Sequence, residues 1–200
     1  MTDSQRSPWD PGRLRISHQV GHGEPDLRLV QPWQTNISWY RYSDEDPEGE
    51  ERDIKLGSIL WSLVDLKHGA RAALDDLDSL GADELNLGAH LAHIERTGQL
   101  RKMCRAAAII SHVELHPDAT GGGIDRLSIK EIARTILFAR TESIILMNGP
   151  DISPARGWTA LGFTQIPVEK KVWFASASDL VGAKNADFCQ GWVSGAWWRE

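Results

Sequence analysis

The sequence predicts a mixed α/β fold in which a twisted mixed β-sheet is flanked by helices. Stretches rich in β-branched and large apolar residues occupy the first third of the chain and predict strands. The segments that follow carry apolar residues at helical spacing instead. A strand, a glycine turn and a helix then follow one another across residues 106–136, and further strands come after them. This order is typical of a sheet with helices packed on it.

Composition and charge exclude some classes of partner. The chain has 200 residues, of which 41% are hydrophobic, and a formal net charge of −6 at pH 7. The negative charge argues against a nucleic-acid surface, where a basic patch is expected, and against an anionic membrane. No run of about 18 apolar residues predicts a membrane span, and the first residues lack a secretory pattern. Cys104 and Cys189 predict no disulfide framework, so we expect a cytoplasmic protein with no nucleic-acid and no membrane partner.

One domain is expected over residues 14–175, between two less regular ends. Residues 1–13 are rich in Ser, Pro, Asp and Gly and are expected to form a loose arm. Residues 176–200 contain three tryptophans and no clear period. Because free tails rarely hold so much aromatic surface, we expect this tail to pack on the domain.

Strands are predicted throughout the first third of the chain. Residues 14–20 alternate between apolar and polar, residues 27–42 look extended with an interruption at Pro32, and residues 53–66 predict a long strand. The acidic segment 43–52 between the last two is predicted to be a hairpin loop or mobile flap. A solvated loop is favoured there. The alternative is that its negative charge attracts a cationic substrate.

Helices are predicted next, on both sides of a glycine. Residues 70–80 carry Ala and Leu at helical spacing and end at Gly81. Asp83 is predicted to cap a second helix, which ends at Gly98.

The central unit begins with a strand over residues 106–115 and ends with an amphipathic helix. Three glycines precede the helix and let a ligand approach the backbone closely. The N–H groups of a helix start are unpaired, and the helix dipole there favours negative charge. The unit therefore predicts a site for a phosphate or pyrophosphate. After it, we expect a buried strand at 142–147, a short helix at 152–161 and a hairpin from 163–166 and 171–175.

Polar residues alternate at the end of the central strand. His112, Glu114 and His116 are predicted to share one face, with Val113 and Leu115 on the other. Three interpretations remain open: the polar groups face a wet cleft or satisfy neighbours, one of them is a general base, or they form a zinc set. Zinc signatures such as H-E-x-x-H are missing, so no metal is expected. Walker, dinucleotide and G-x-S-x-G signatures are missing as well.

The motifs LHPDATGGGID, SIILMNGPD and ARGWTALGF, with an amphipathic helix after the first, resemble the GCN5-related N-acetyltransferase (GNAT) superfamily. The similarity covers about residues 106–175. The resemblance implies a GNAT-like sheet with splayed central strands and acetyl-CoA as co-substrate. In that family the amides of an Arg/Gln-x-x-Gly-x-Gly/Ala loop hold the pyrophosphate, and the strand before the loop pairs with the pantetheine arm. The cofactor-binding positions implied here are Leu115, His116, Thr120, Gly121, Gly122, Gly123, Ile124, Asp125, Arg126 and Trp158.

The resemblance also implies the catalytic groups. Transfer of an acyl group from a thioester to nitrogen requires a neutral amine, and a carboxylate on the central strand often removes its proton in this family. Glu114 is the implied base and His112 is the reserve. Amides of the splayed strand would hold the thioester oxygen as it becomes negative.

Several positions depart from the family pattern. Thr120 replaces the usual Arg or Gln, and Asp125 places a carboxylate where a small residue is usual. Trp158 replaces a tyrosine that often acts as general acid, and an indole is only a donor. Asp151 aligns with the usual Asn. The two helices follow the third predicted strand, whereas the family places them after the first.

We expect an acetyl-CoA-dependent N-acyltransferase that acts on a primary amine of a small molecule or peptide. The alternative is a GNAT-like binding or regulatory module that has lost catalysis, as the departures suggest. A further alternative is an interaction protein that docks a partner or forms a homodimer, either through its Trp-rich tail or through strand edges near residues 163–175.

Overall fold

The computed structural model describes residues 14–21, 27–41, 52–100, 104–119, 123–139, 143–148, 155–166 and 169–183. They form a seven-stranded mixed sheet of order β1-β2-β3-β4-β5-β7-β6 with helices packed on it. The predicted mixed α/β fold is confirmed at this level. The predicted N-terminal arm, the acidic segment 43–51 and tail residues 184–200 lie outside the described part. No helix in the described part is long and apolar enough to cross a membrane.

The first three strands form an antiparallel meander: β1 is Leu14–Val20, β2 is Val30–Arg41 and β3 is Arg52–Asp65. The predicted interruption at Pro32 is wrong, because β2 runs through it. The carbonyl of Pro32 accepts the N–H of Gly21 at 2.8 Å, beyond the last β1–β2 pair. The N–H and C=O of a strand residue point to the same side, so the missing N–H faces away from β3 and costs no bond to that strand.

Helices α1 (Leu74–Leu80) and α2 (Ala82–Arg96) follow two 3₁₀ turns, Leu66–His68 and Ala70–Ala73. The prediction that Asp83 caps α2 is wrong: Gly81 is the capping residue, and Asp83 lies in the first turn. A carboxylate there still favours the helix through its dipole. The two helices cover one face of the sheet through a buried apolar cluster that includes Leu77, Leu91 and Ile109.

The central unit forms as predicted, with β4 (Ala106–Leu115), α3 (Ile124–Ala139) and a parallel strand β5 (Ser143–Asn148). Helix α3 covers the sheet face opposite to α1 and α2. Its apolar residues, such as Ile132, pack with Ile37 and Ile110 of the sheet in a second buried cluster. The apolar residues recur every three or four positions because one side of the helix must be buried.

The remaining elements are α4 (Ala155–Ala160), β6 (Thr164–Ile166), β7 (Glu169–Ser176) and α5 (Ala177–Gly182). The sequence predicts the hairpin but not α5, because the six residues of α5 are too few to show a helical period. Leu180 of α5 is buried, and the buried Lys130 of α3 donates from Nζ to the carbonyl of Ala183. Burial lowers the pKa of Lys130; the nearby Arg134 acts in the same direction and Glu131 opposes it. The described start of the tail, residues 176–183, therefore packs on the body.

Candidate functional site

Strands β4 and β5 separate part of the way along the sheet. They pair in parallel from Ala106 and Ser143 as far as Ile110 and Met147. Strand β4 then continues to Leu115, paired with β3 on its other side. Among the described residues, no strand pairs with the β5-facing edge of β4 beyond Ile110. A strand edge of this kind presents backbone N–H and C=O groups that can pair with a ligand.

A β-bulge at Ser111 marks the point of separation. In the β3–β4 ladder Trp61 pairs with Ile110 and Leu60 pairs with His112, so Ser111 is the extra residue. Its hydroxyl donates to the carbonyl of Leu60 at 3.3 Å. A bulge bends its strand and increases the local twist. The bend carries β4 away from β5 just after the last pair of their ladder, Ile110 and Met147.

The bulge also decides which side chains leave the core. Without it, residues 112 and 114 would continue the buried face of Ala108 and Ile110. With it, Val113 and Leu115 pack against the α3-side core instead, as predicted. Polar residues of β4 thereby reach solvent, where their charges need no buried partner.

His112, Glu114 and His116 are all exposed. The register places Glu114 beside Ser58, and His112 beside Leu60, whose side chain is 43% exposed. His116 follows the strand and donates its backbone N–H to Leu56 at 2.7 Å. Within the described ranges, no three His, Cys, Asp or Glu side chains lie close enough together to hold a metal ion. The part of β4 beside its open edge thus carries one carboxylate, Glu114, and one imidazole, His112.

The predicted phosphate loop is described only at its end, because Thr120, Gly121 and Gly122 lie outside the described residues. Gly123 has a φ of 77°, a backbone conformation that residues with a Cβ rarely adopt. Its carbonyl accepts the N–H of Leu127 at 2.9 Å, which is the first bond of α3. Gly123 therefore turns the chain into the helix, and the buried Ile124 anchors that first turn.

Asp125 occupies the start of α3 and is only 2% exposed. Its carboxylate accepts the backbone N–H of the partly buried Arg126 at 2.8 Å. The negative charge at a helix start is favourable for the fold. It also engages one of the amides that the pyrophosphate prediction requires and adds like charge beside the others.

Trp158 lies in the core, with its side chain 1% exposed. Its ring packs edge to face on Phe163, with ring centroids 5.3 Å apart. The carbonyl of Trp158 accepts the N–H of Phe163 at 3.1 Å, and Gly162 has a φ of 94°. The W-x-x-L-G-F motif thus ends α4 with a left-handed glycine. The aromatic pair of Trp158 and Phe163 packs together at this end of the helix.

A polar cluster that the sequence analysis missed lies on β1, β2 and β3. His18 Nδ1 lies 2.8 Å from Thr35 Oγ1, which also accepts the indole N–H of Trp61 at 2.9 Å. Trp33 stacks on Trp61 with ring centroids 5.3 Å apart. Burial lowers the pKa of His18, and Glu131 of α3 opposes that shift. The signal that could have found it is the alternation along β2, which places Thr35 on the same face as Ile37 and Trp39.

The pH dependence of stability should report on His18. Since folding lowers its pKa, the unfolded chain binds the proton more readily. The neutral His18 side chain therefore contributes fully to the free energy of unfolding above its ordinary pKa of 6.5. This contribution is lost as the pH falls through the lower pKa of the folded state. We expect the free energy of unfolding, measured with urea, to fall more between pH 7.5 and pH 5.5 in the wild type than in His18→Gln. Equal losses in the two proteins would contradict the assignment.

No protein-family model matches the sequence, and no curated protein matches it.

Proposed function

We propose that the chain is an acyl-CoA-dependent N-acyltransferase, with acetyl-CoA as donor and a primary amine as acceptor, built on a GNAT-like sheet. The observation that carries the proposal is the separation of β4 from β5 at the Ser111 bulge. Along the chain, β4 is the last strand before α3. The amides of a pantetheine arm can pair with such an edge as an added strand does.

The reaction needs few protein groups. The Glu114 carboxylate takes a proton from the acceptor ammonium, directly or through water, and the free amine nitrogen attacks the thioester carbonyl. N–H groups on the open edge of β4 donate hydrogen bonds to the thioester oxygen as it becomes negative. The C–S bond then breaks, the nitrogen of the new amide loses its extra proton to water, and water protonates the departing CoA thiolate. His112 is the second candidate base, on the same face of β4.

A different function is favoured by the environments of Asp125 and Trp158. The buried carboxylate engages the helix start, and the buried indole lies in the position where the family often carries a tyrosine acid. A GNAT-like module that binds acyl-CoA without transferring the acyl group would tolerate both. Binding without turnover of any amine would identify this second function.

Calorimetric titration with acetyl-CoA tests the donor assignment. We expect saturable binding, and we expect Asp125→Asn to bind about two- to fivefold more tightly, because a charge near a helix terminus contributes about 0.3–1 kcal/mol. The asparagine keeps an oxygen that can accept the Arg126 N–H, so the helix start is preserved. Absence of heat and of any thermal shift at millimolar acetyl-CoA in both proteins would overturn the proposal.

A further inference from the structure

The face of β1–β4 that points away from α3 is covered by α1 and α2 over only part of its length. The buried cluster under these helices reaches β3 at Val64 and β4 at Ala107 and Ile109. Beyond that cluster, the register aligns the next side chains of this face in two rows that cross all four strands. We call these two rows the polar face. From β4 to β1 they contain His112, Leu60, Gln34 and Gln19, and Glu114, Ser58, Asn36 and Ser17.

The polar face extends sideways from the proposed base. Glu114 and His112 stand exposed at its β4 end. Neighbouring strands lie about 4.8 Å apart, so the side chains of β3 and β2 come within roughly 10 Å of those on β4. A molecule whose amine lies at Glu114 therefore rests on β3 and β2.

Leu60 occupies the centre of this area, and its side chain is 43% exposed. Directly opposite residues of paired strands have Cβ atoms about 4.5–5.5 Å apart, so Leu60 adjoins both His112 and Gln34. A single exposed leucine is ordinary on a protein surface. This one lies one strand away from the proposed base, where it offers an apolar contact to the C–H groups of an acceptor.

Two side-chain amides lie next to Leu60 on β2. Gln34 Nε2 donates to Asn36 Oδ1 at 2.9 Å, which fixes the two groups relative to each other. Both residues are half-buried, and the polar atoms that this bond leaves unused reach solvent. An amide side chain carries both donors and an acceptor, as a hydroxyl group does. The pair therefore suits a ligand that presents several hydroxyl groups.

The charges on this side of the sheet favour an acceptor with a single ammonium group. Asp53 accepts a hydrogen bond from Arg15 Nη1 at 3.3 Å, so its charge is compensated. Lys55 lies on the same side, opposite Ser38. Within the described parts of β1–β4, Glu114 is thus the one carboxylate on this side without a cation partner. A second ammonium group of a polyamine would meet cations there instead of carboxylates.

We propose that the polar face binds the acceptor of the acyl transfer, and that this acceptor is a polyhydroxylated amine with one ammonium group, such as an amino sugar. A pyranose ring carries C–H groups on its face and hydroxyl groups around its rim. Its amine lies at Glu114 and its C–H face lies on Leu60. Its hydroxyl groups bond to Gln34 and Asn36. The assignment of the acceptor rests on the proposed acyltransferase function, whereas binding at the polar face is measurable without turnover.

Two matched glutamines provide the kinetic test. Gln34 and Gln19 lie in the same row, but Gln19 is one strand farther from Glu114 and beyond the reach of a single sugar ring. Gln34→Ala should raise the KM for glucosamine about two- to tenfold, the equivalent of one neutral hydrogen bond. It should leave the KM for cyclohexylamine, a ring amine without hydroxyl groups, unchanged. Gln19→Ala should leave both values unchanged.

Leu60→Ser tests the apolar contact. The KM values for glucosamine and cyclohexylamine should both rise about two- to fivefold, because each ring loses apolar contact area. The KM for ethanolamine, which has no ring, should stay the same. In the wild type, the KM for glucosamine should be lower than the values for spermidine and for a lysine-containing peptide. Thermal melts check that the variants are folded.

Nuclear magnetic resonance measures binding without turnover. Titration with glucosamine should shift the side-chain amide signals of Gln34 and Asn36, which are assigned by their loss in the alanine variants. The side-chain signal of Gln19 should not shift. Shifts of this kind without acetylation of any amine would support the polar face as a binding site and refute the acyltransferase function.

Other results would overturn the inference and leave the acyltransferase function intact. One is acetylation of spermidine or of the peptide with a lower KM than that of glucosamine. Another is a Gln34→Ala protein with the wild-type KM for glucosamine. Signals of Gln34 and Asn36 that do not respond to glucosamine would overturn the inference whatever the turnover, and in the absence of any turnover both proposals would fall.

Discussion

Replacing Glu114 by Gln should lower the rate of acyl transfer by about 10²–10⁴-fold, the usual contribution of a general base. The exposed Glu114 lies beside the open edge of β4 and is held there by its pairing with Ser58. Glutamine keeps the size and the hydrogen-bonding shape of the side chain but cannot take a proton at neutral pH. Release of CoA thiol from acetyl-CoA, with spermidine, glucosamine and a lysine-containing peptide as acceptors, measures the rate.

Acetyl-CoA binding separates a catalytic role for Glu114 from a structural one. The affinity of Glu114→Gln for acetyl-CoA should equal that of the wild type, because the carboxylate acts on the acceptor. His112→Gln is the matched control on the same face of β4, and its rate should fall less. A Glu114→Gln protein that transfers acetyl at the wild-type rate would refute the base assignment, and a larger loss in His112→Gln would move it to the imidazole.

Replacing Gly57 by Ala should destabilise the protein by about 3 kcal/mol, at the upper end of what overpacking usually costs. A Cβ on Gly57 would lie 2.2 Å from the carbonyl oxygen of Glu114 and 3.0 Å from the Cα of Leu115. These are backbone atoms, so no side-chain rotation relieves the overlap. Strands β3 and β4 would have to move apart where β4 carries its exposed polar residues. Urea unfolding followed by circular dichroism measures the loss.

A second glycine provides the comparison for Gly57. A Cβ on Gly182, the last residue of α5, would meet no atom of the described residues within 4 Å, so Gly182→Ala should change stability by less than about 0.5 kcal/mol. If Gly57→Ala were as stable as Gly182→Ala, the close approach of β3 and β4 at this point would be wrong. A folded but weakened Gly57→Ala should also lose acetyl-CoA affinity, because the edge of β4 would shift.

The pattern of apolar residues was enough to predict the central unit of the fold. Residues 106–115 and the helix after Gly123 carry different hydrophobic periods, and each period reflects which side of the element is buried. Pro32 misled the prediction, because a proline breaks a strand only where its missing N–H would face a partner. Asp83 misled it too, because Gly81, two residues earlier, is the capping residue. Such outcomes depend on neighbouring strands and turns, which the local sequence does not specify.

The candidate site was predicted less completely than the fold. The exposed position of Glu114 and His112 was one of the open interpretations, and alternation along the strand supported it. The bulge at Ser111 has no signal in the local sequence, because a bulge is a mismatch of register between two strands. The engagement of the Arg126 amide by Asp125 was missed for a similar reason, since the direction of a buried side chain depends on what packs around it.

The order of residues alone therefore established the alternation of strands and helices, the negative charge and the polar side chains on the central strand. These are local properties, set by periodicity and composition along the chain. The separation of β4 from β5 and the burial of Trp158 arose from contacts between residues far apart in sequence. Packing sets such features, because each depends on the relative register and length of elements that meet only in the folded protein.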